Sequence, residues 1–129
     1  MTTASDSLIT LPTEPQALVR EVETEPKAES IKDQEIINKI TEVFGKDAEV
    51  MTKIAFCESS LRQFDETGKV LISKTNDRGL FQISWVHDEE LKKLNLDVTK
   101  LEDNIAYAKY LFDNNELKDW QASAKCWQN

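Results

Sequence analysis

Long apolar runs are missing from this 129-residue chain. No stretch approaches the ~18 apolar residues of a membrane-crossing helix, so insertion into a membrane is not expected. A secretory leader is not expected either, since the first basic residue is Arg20 and no apolar segment follows Met1. Cysteine is scarce: Cys57 and Cys126 are too few for a disulfide scaffold and lack the spacing of a zinc site. The one histidine, His87, has no motif beside it that supplies a Ser or Cys nucleophile, and it reads as a helix-flanking residue. Basic charge is in deficit, with 16 Lys and Arg against 24 Asp and Glu, a formal charge of −8 and a pI near 4.7. That excludes a sequence-independent nucleic-acid binder, which needs a basic patch to displace counterions. It also excludes adsorption to anionic membranes by charge.

What is present divides near residue 30. Pro12, Pro15 and Pro26 lie before that point, and every aromatic lies at or after Phe44. Residues 1–30 carry Arg20 and Lys27 against six acidic residues, so half of the net charge sits there. Such a segment cannot offset its ordering entropy, and 1–30 reads as a disordered acidic, proline-containing tail, either a tether or a solubilising extension. Residues 31–129 read as one small domain. With 40% hydrophobic residues the chain has enough apolar material for a core of useful size.

The domain reads as mainly helical. Ser30–Asp33 is placed to cap a helix whose apolar positions Ile36, Ile37, Ile40, Val43 and Phe44 keep a 3.6 period until Gly45. Asp47 is an N-cap candidate for a second helix to about Leu61. Asp65–Gly68 signals a turn and Lys69–Ser73 a short strand; Asn76–Gly79 is a second turn leading into Leu80–Ile83. A short helix is expected over 88–94. Thr99 with Glu102 reads as a capping box for a helix to about Asn114, and a last helix is expected from Asp119. Two β signals inside a helical chain predict an α+β fold with a hairpin segregated at one edge.

Polar residues on apolar stripes carry the chemistry. Met51, Ile54 and Ala55 set a stripe whose next position is Glu58, so this glutamate should point inward near a helix C-terminus. Burial and the C-terminal dipole both disfavour its charged form, which makes a general acid; the alternative is a helix end turned to solvent. Asn104 falls on the stripe of Leu101, Ile105, Ala108 and Phe112. It either holds a neighbouring loop or meets substrate. Gln82 is the polar residue inside Gly79-Leu80-Phe81-Gln82-Ile83, a buried turn on its own reading.

These pieces together resemble the lysozyme-like superfamily, the soluble lytic-transglycosylase domains above all. Glu58-Ser59 matches the helix-ending Glu-Ser, Gly79–Ile83 the Gly-Leu-Met/Phe-Gln-Ile segment, and Asn104-Ile105 the start of the Asn-Ile-x-x-Gly-x-x-Tyr-Leu segment, with Ala108 in the glycine position and Tyr110-Leu111 one residue short of its Tyr-Leu. The match spans roughly 35–127. The chain departs from the family in lacking its later Ala-Tyr-Asn segment and ending in Trp120-x-x-Ser-x-x-Cys-Trp127.

The resemblance implies a lysozyme-like fold, with the hairpin at one edge of a catalytic cleft. It implies cleavage of the β-1,4 bond between N-acetylmuramic acid and N-acetylglucosamine in peptidoglycan glycan strands. Glu58 would be the acid and then the base, giving 1,6-anhydro products, or a reducing end if water is activated. Ser59, Gln82 and Asn104 are the expected groups for orienting the acid and contacting sugar, with Tyr107 or Tyr110 as a source of a further hydroxyl. A second carboxylate would favour hydrolysis; the candidates are Asp77, Asp65 and Glu66, each also explained as a turn residue. No metal or organic cofactor is implied, and a monomer is expected. Cys57 and Cys126 are either a disulfide joining the Glu58 helix to the last helix or two buried thiols. A bridge would suit a periplasmic, cell-wall or extracellular site. The rival readings are a non-catalytic glycan-binding module and a small helical interaction protein.

Overall fold

The structure, a computed structural model, describes residues 28–128. The chain divides between Lys32 and Asp33, and Asp33 onward forms a compact unit. The tail expected over 1–30 lies outside the described residues except at its end, where the first helix, α1 (Ala28–Phe44), already begins. Ser30 therefore stands inside a helix rather than capping one. Ala28 and Glu29 are good helix formers and nothing between them and Ser30 breaks a helix.

The order continues with a 3₁₀ turn (Gly45–Asp47), α2 (Ala48–Ser59), β1 (Asp77–Arg78), β2 (Ile83–Ser84), a 3₁₀ turn (Trp85–His87), α3 (Asp88–Leu94), α4 (Leu101–Asn115), a 3₁₀ segment (Lys118–Ser123) and α5 (Ala124–Trp127). The fold is mainly helical α+β with one two-stranded antiparallel sheet, registered Asp77 to Ser84 and Arg78 to Ile83.

Several local expectations give way to other chemistry. Asp47 occupies the N-cap position of α2 but its side chain caps nothing, because the 3₁₀ turn runs directly into the helix. The Thr99–Glu102 box does not form either: α4 is preceded by Lys100 without a side-chain cap. The Thr99 hydroxyl instead donates to Asp97 at 2.6 Å, and the Asp97 N–H donates to Asp103 at 2.9 Å. The strand expected over 69–73 is reduced to isolated bridges, Phe64 with Val70 and Ile72 with Arg78. The Lys69 N–H turns to the Asp65 side chain, while those of Leu71 and Ser73 reach the carbonyls of Gln63 and Asp77, so the segment pairs on both sides without forming a continuous strand.

The core gathers Ile40 and Phe44 of α1, Met51 and Ile54 of α2, and Ile105, Ala108 and Leu111 of α4 around Leu80 and Phe81. Phe81 is fully buried, with its ring 6.0 Å from that of Phe44 and 5.9 Å from that of Trp120. The turn between the strands is thus driven into the helical layer, which brings the hairpin against the end of α2. No helix among the described residues is long and apolar enough to cross a membrane.

Candidate active site

Glu58 stands in the last turn of α2, where the stripe of Met51, Ile54 and Ala55 carries it toward the interior. Its helix ends abruptly. Ser60 and Leu61 both adopt left-handed φ, 58° and 62°, and their N–H groups close on the carbonyls of Phe56 and Ala55. The carboxylate is half-buried and its Oε2 accepts a 2.7 Å hydrogen bond from the Ser123 hydroxyl. Burial pushes its pKa above the ordinary glutamate value; the Ser123 bond pulls it back, and the field of Asp77 pushes it up again. The result is an acid that holds its proton to higher pH than a surface glutamate does.

Ser123 is fixed from the C-terminal segment. The Trp127 indole N–H donates to Ser123 Oγ at 3.1 Å and to the Trp120 carbonyl at 3.2 Å. The buried Trp120 indole donates to the Phe81 carbonyl at 3.2 Å. Cys57 and Cys126 form a disulfide, with Cα atoms 6.1 Å apart, so the residue before Glu58 is tied covalently to α5.

The other predicted residues are distributed unevenly. Ser59 is buried and its hydroxyl lies 2.8 Å from the Leu80 carbonyl and 3.1 Å from that of Ala55, while it accepts from the Arg62 N–H. Asn104 has no exposed surface: its Oδ1 accepts from the Phe81 N–H, and its Nδ2 donates to the carbonyls of Arg78 and Val98, all at 2.9 Å. Both residues spend these groups on holding the Gly79–Gln82 turn and its neighbours. Gln82 has φ of 52° and turns its amide back to the Gly79 carbonyl at 3.0 Å.

The tyrosines lie elsewhere. Tyr107 is fully buried, stacked on Tyr110 and edge-on to His87, and its phenol is pushed up to about 12 chiefly by desolvation. The Tyr110 hydroxyl donates to Glu90 of α3 at 2.7 Å, which raises its pKa. Neither hydroxyl bonds to Glu58, because α4 turns this face toward α3. His87 lies 3.8 Å from Asp119.

Of the carboxylates, Asp77 is the one whose field acts on Glu58; its Oδ2 accepts from the hydroxyls of Ser73 and Thr75. Asp65 is solvent-facing and engaged in its own turn, where the Thr67 hydroxyl and neighbouring N–H groups lower its pKa. Glu66 is exposed.

Two residues have roles that pattern reading missed. Gln63 is buried: its Oε1 accepts from Leu80 N–H at 2.8 Å and its Nε2 donates to the Val98 carbonyl at 2.9 Å. It lies outside any helix, so no periodicity marks it. Ser123 is the other. Its spacing from Trp120 and Trp127, three and four residues, is the signal that could have placed it on an inward face.

Surface hollows of 330, 450, 490 and 660 Å³ occur among the described residues, lined by residues other than Glu58. The one of 660 Å³ is a groove along the hairpin lobe, walled by Phe64, Val70 and Ile72 with Asp65, Lys69 and Thr99. No group of three or more His, Cys, Asp or Glu side chains among the described residues is arranged to hold a metal ion. Comparison with protein-family models, with curated proteins and with solved structures finds no match.

Proposed function

We propose that this chain is a peptidoglycan-cleaving enzyme with a lysozyme-like fold, in which Glu58 acts on the β-1,4 bond between N-acetylmuramic acid and N-acetylglucosamine. The observation that carries the reading is the setting of Glu58: half-buried at a helix C-terminus, with a raised pKa and a hydroxyl partner. A carboxyl in that setting can protonate a leaving glycosidic oxygen as an oxocarbenium-like transition state develops, and then serve as base. Supporting it, Ser59 and Asn104 join the three segments of the resemblance by gripping one turn. If Glu58 takes the proton of the muramyl 6-hydroxyl, the product is a 1,6-anhydro sugar. The disulfide is in keeping with a periplasmic, cell-wall or extracellular site.

Hydrolysis of the same bond is the second reading, favoured by Asp77, whose carboxylate acts electrostatically on Glu58. A glycan-binding module without catalysis would retain binding alone.

The deciding experiment is Glu58→Gln assayed on purified sacculi. Release of soluble muropeptides by the parent chain and its loss in a folded variant are expected; equal turnover by the two would exclude Glu58 as the acid. Binding of sacculi by the parent without release would identify the binding module. Mass spectrometry separates the two chemistries, since the anhydro product is one water lighter.

A further inference from the structure

Ser123 Oγ lies within hydrogen-bonding distance of three groups. Glu58 Oε2 is at 2.7 Å, the Trp120 carbonyl at 3.1 Å, and the Trp127 indole N–H at 3.1 Å. The indole can only donate, and its one N–H is shared between Ser123 Oγ and the Trp120 carbonyl. That leaves one hydroxyl proton facing two acceptors.

We propose that Ser123 is a positioning residue that holds Glu58 in both of its protonation states by turning one hydroxyl proton between the Glu58 carboxylate and the Trp120 carbonyl. This rests on the reading of Glu58 as acid and then base. With Glu58 ionised, the Ser123 hydroxyl donates to Oε2. The Trp120 carbonyl then keeps the Trp127 indole N–H, 3.2 Å away, as its donor. With Glu58 protonated, the carboxyl O–H donates to Ser123 Oγ and the Ser123 proton turns to the Trp120 carbonyl. No proton leaves Ser123 and no bond to carbon changes; the hydroxyl rotates about its Cβ–Oγ bond. In neither state is a group of this cluster left without a partner, which is the costly outcome for buried polar atoms. A fixed donor such as a lysine would serve only the ionised acid, and an alanine would serve neither state. Asp77, from β1, is the charged group that acts on Glu58 alongside it.

The test pairs titration with turnover. The Glu58 side-chain carboxyl is followed by carbon NMR against pH and identified by its loss in Glu58→Gln. In Ser123→Ala both forms of Glu58 lose their partner, but the bond to the carboxylate is charge-assisted and the stronger of the two, so the midpoint should move to higher pH. The alkaline limb of sacculus cleavage should move with it, while Ser123→Thr, which keeps the hydroxyl, should hold both at the parent values. Ser123→Gly repeats the deletion should the alanine variant not fold. An unmoved Glu58 midpoint in a folded deletion variant would overturn the proposal, as would a threonine variant that behaves like alanine. A parent chain that titrates as expected but cleaves nothing would reject the enzymatic reading and leave the Ser123–Glu58 coupling standing.

Discussion

Gly79→Ala should be far more damaging than its small change in volume implies. Gly79 has φ of 74°, and a left-handed alanine costs about 1–2 kcal/mol. The added Cβ would stand 2.5 Å from Gln63 Oε1, 2.8 Å from Gln63 Nε2, and in closer conflict still with Asn104 Nδ2. These amides cannot retreat freely. Gln63 holds the Leu80 N–H and the Val98 carbonyl, and Asn104 holds the Phe81 N–H and the carbonyls of Arg78 and Val98. Breaking one such buried bond without replacement costs about 1–3 kcal/mol. The total is about 2–5 kcal/mol, a large share of the roughly 5–15 kcal/mol that holds a typical domain together. Gly68→Ala is the internal control: φ there is 88°, and nothing lies within 4 Å of the added carbon. Urea unfolding followed by tryptophan fluorescence compares the two at one pH. A Gly79→Ala penalty no larger than that of Gly68→Ala would refute the two-amide clamp.

Two further outcomes follow from the same site. Glu58 has a folded-state pKa above its unfolded value of 4.5. The folded chain therefore binds the extra proton, and that contribution is full below about pH 4.5 and lost as pH rises through the folded pKa. Glu58→Gln should accordingly gain stability relative to the parent as pH rises from 4.5, levelling above the folded pKa; thermal melts across pH that stay parallel would contradict the buried setting. Replacing Cys57 and Cys126 by alanine opens a loop with a sequence separation of 69, which chain entropy values at about 4 kcal/mol. Denaturant unfolding should show most of that loss in the double variant, and an unchanged midpoint would mean that packing alone holds α5.

The legible parts of this molecule are those with a local period. Glu58 and Asn104 were visible because a helix repeats every 3.6 residues and each interrupts an apolar stripe. What each does there was not visible. Asn104 sits among backbone groups that come from Arg78, Phe81 and Val98, and no spacing within α4 reports them. The caps at Asp47 and Thr99 failed for a related reason. Each residue type suits a helix start, but a preceding 3₁₀ turn and a competing carboxylate, Asp97, supplied other partners. The strand over 69–73 has the right composition, yet it lies between two tight turns and pairs only through single bridges, Val70 with Phe64 and Ile72 with Arg78.

The setting of Glu58 is assembled from far along the chain, and this has a chemical consequence. Ser59 reaches Leu80, Gln63 reaches Val98, and Ser123 reaches back to Glu58 across 65 positions. Burial and Asp77 push the carboxyl up, while Ser123 pushes it down. On the proposed reading Glu58 gives a proton and then takes one, and burial alone does not serve both steps, because burial that secures the proton also opposes its release. The opposing hydroxyl keeps the ionised form accessible. Since that hydroxyl arrives only when the C-terminal segment docks, and Cys57–Cys126 holds that segment beside α2, the poise of Glu58 depends on closure of the whole domain rather than on its own helix.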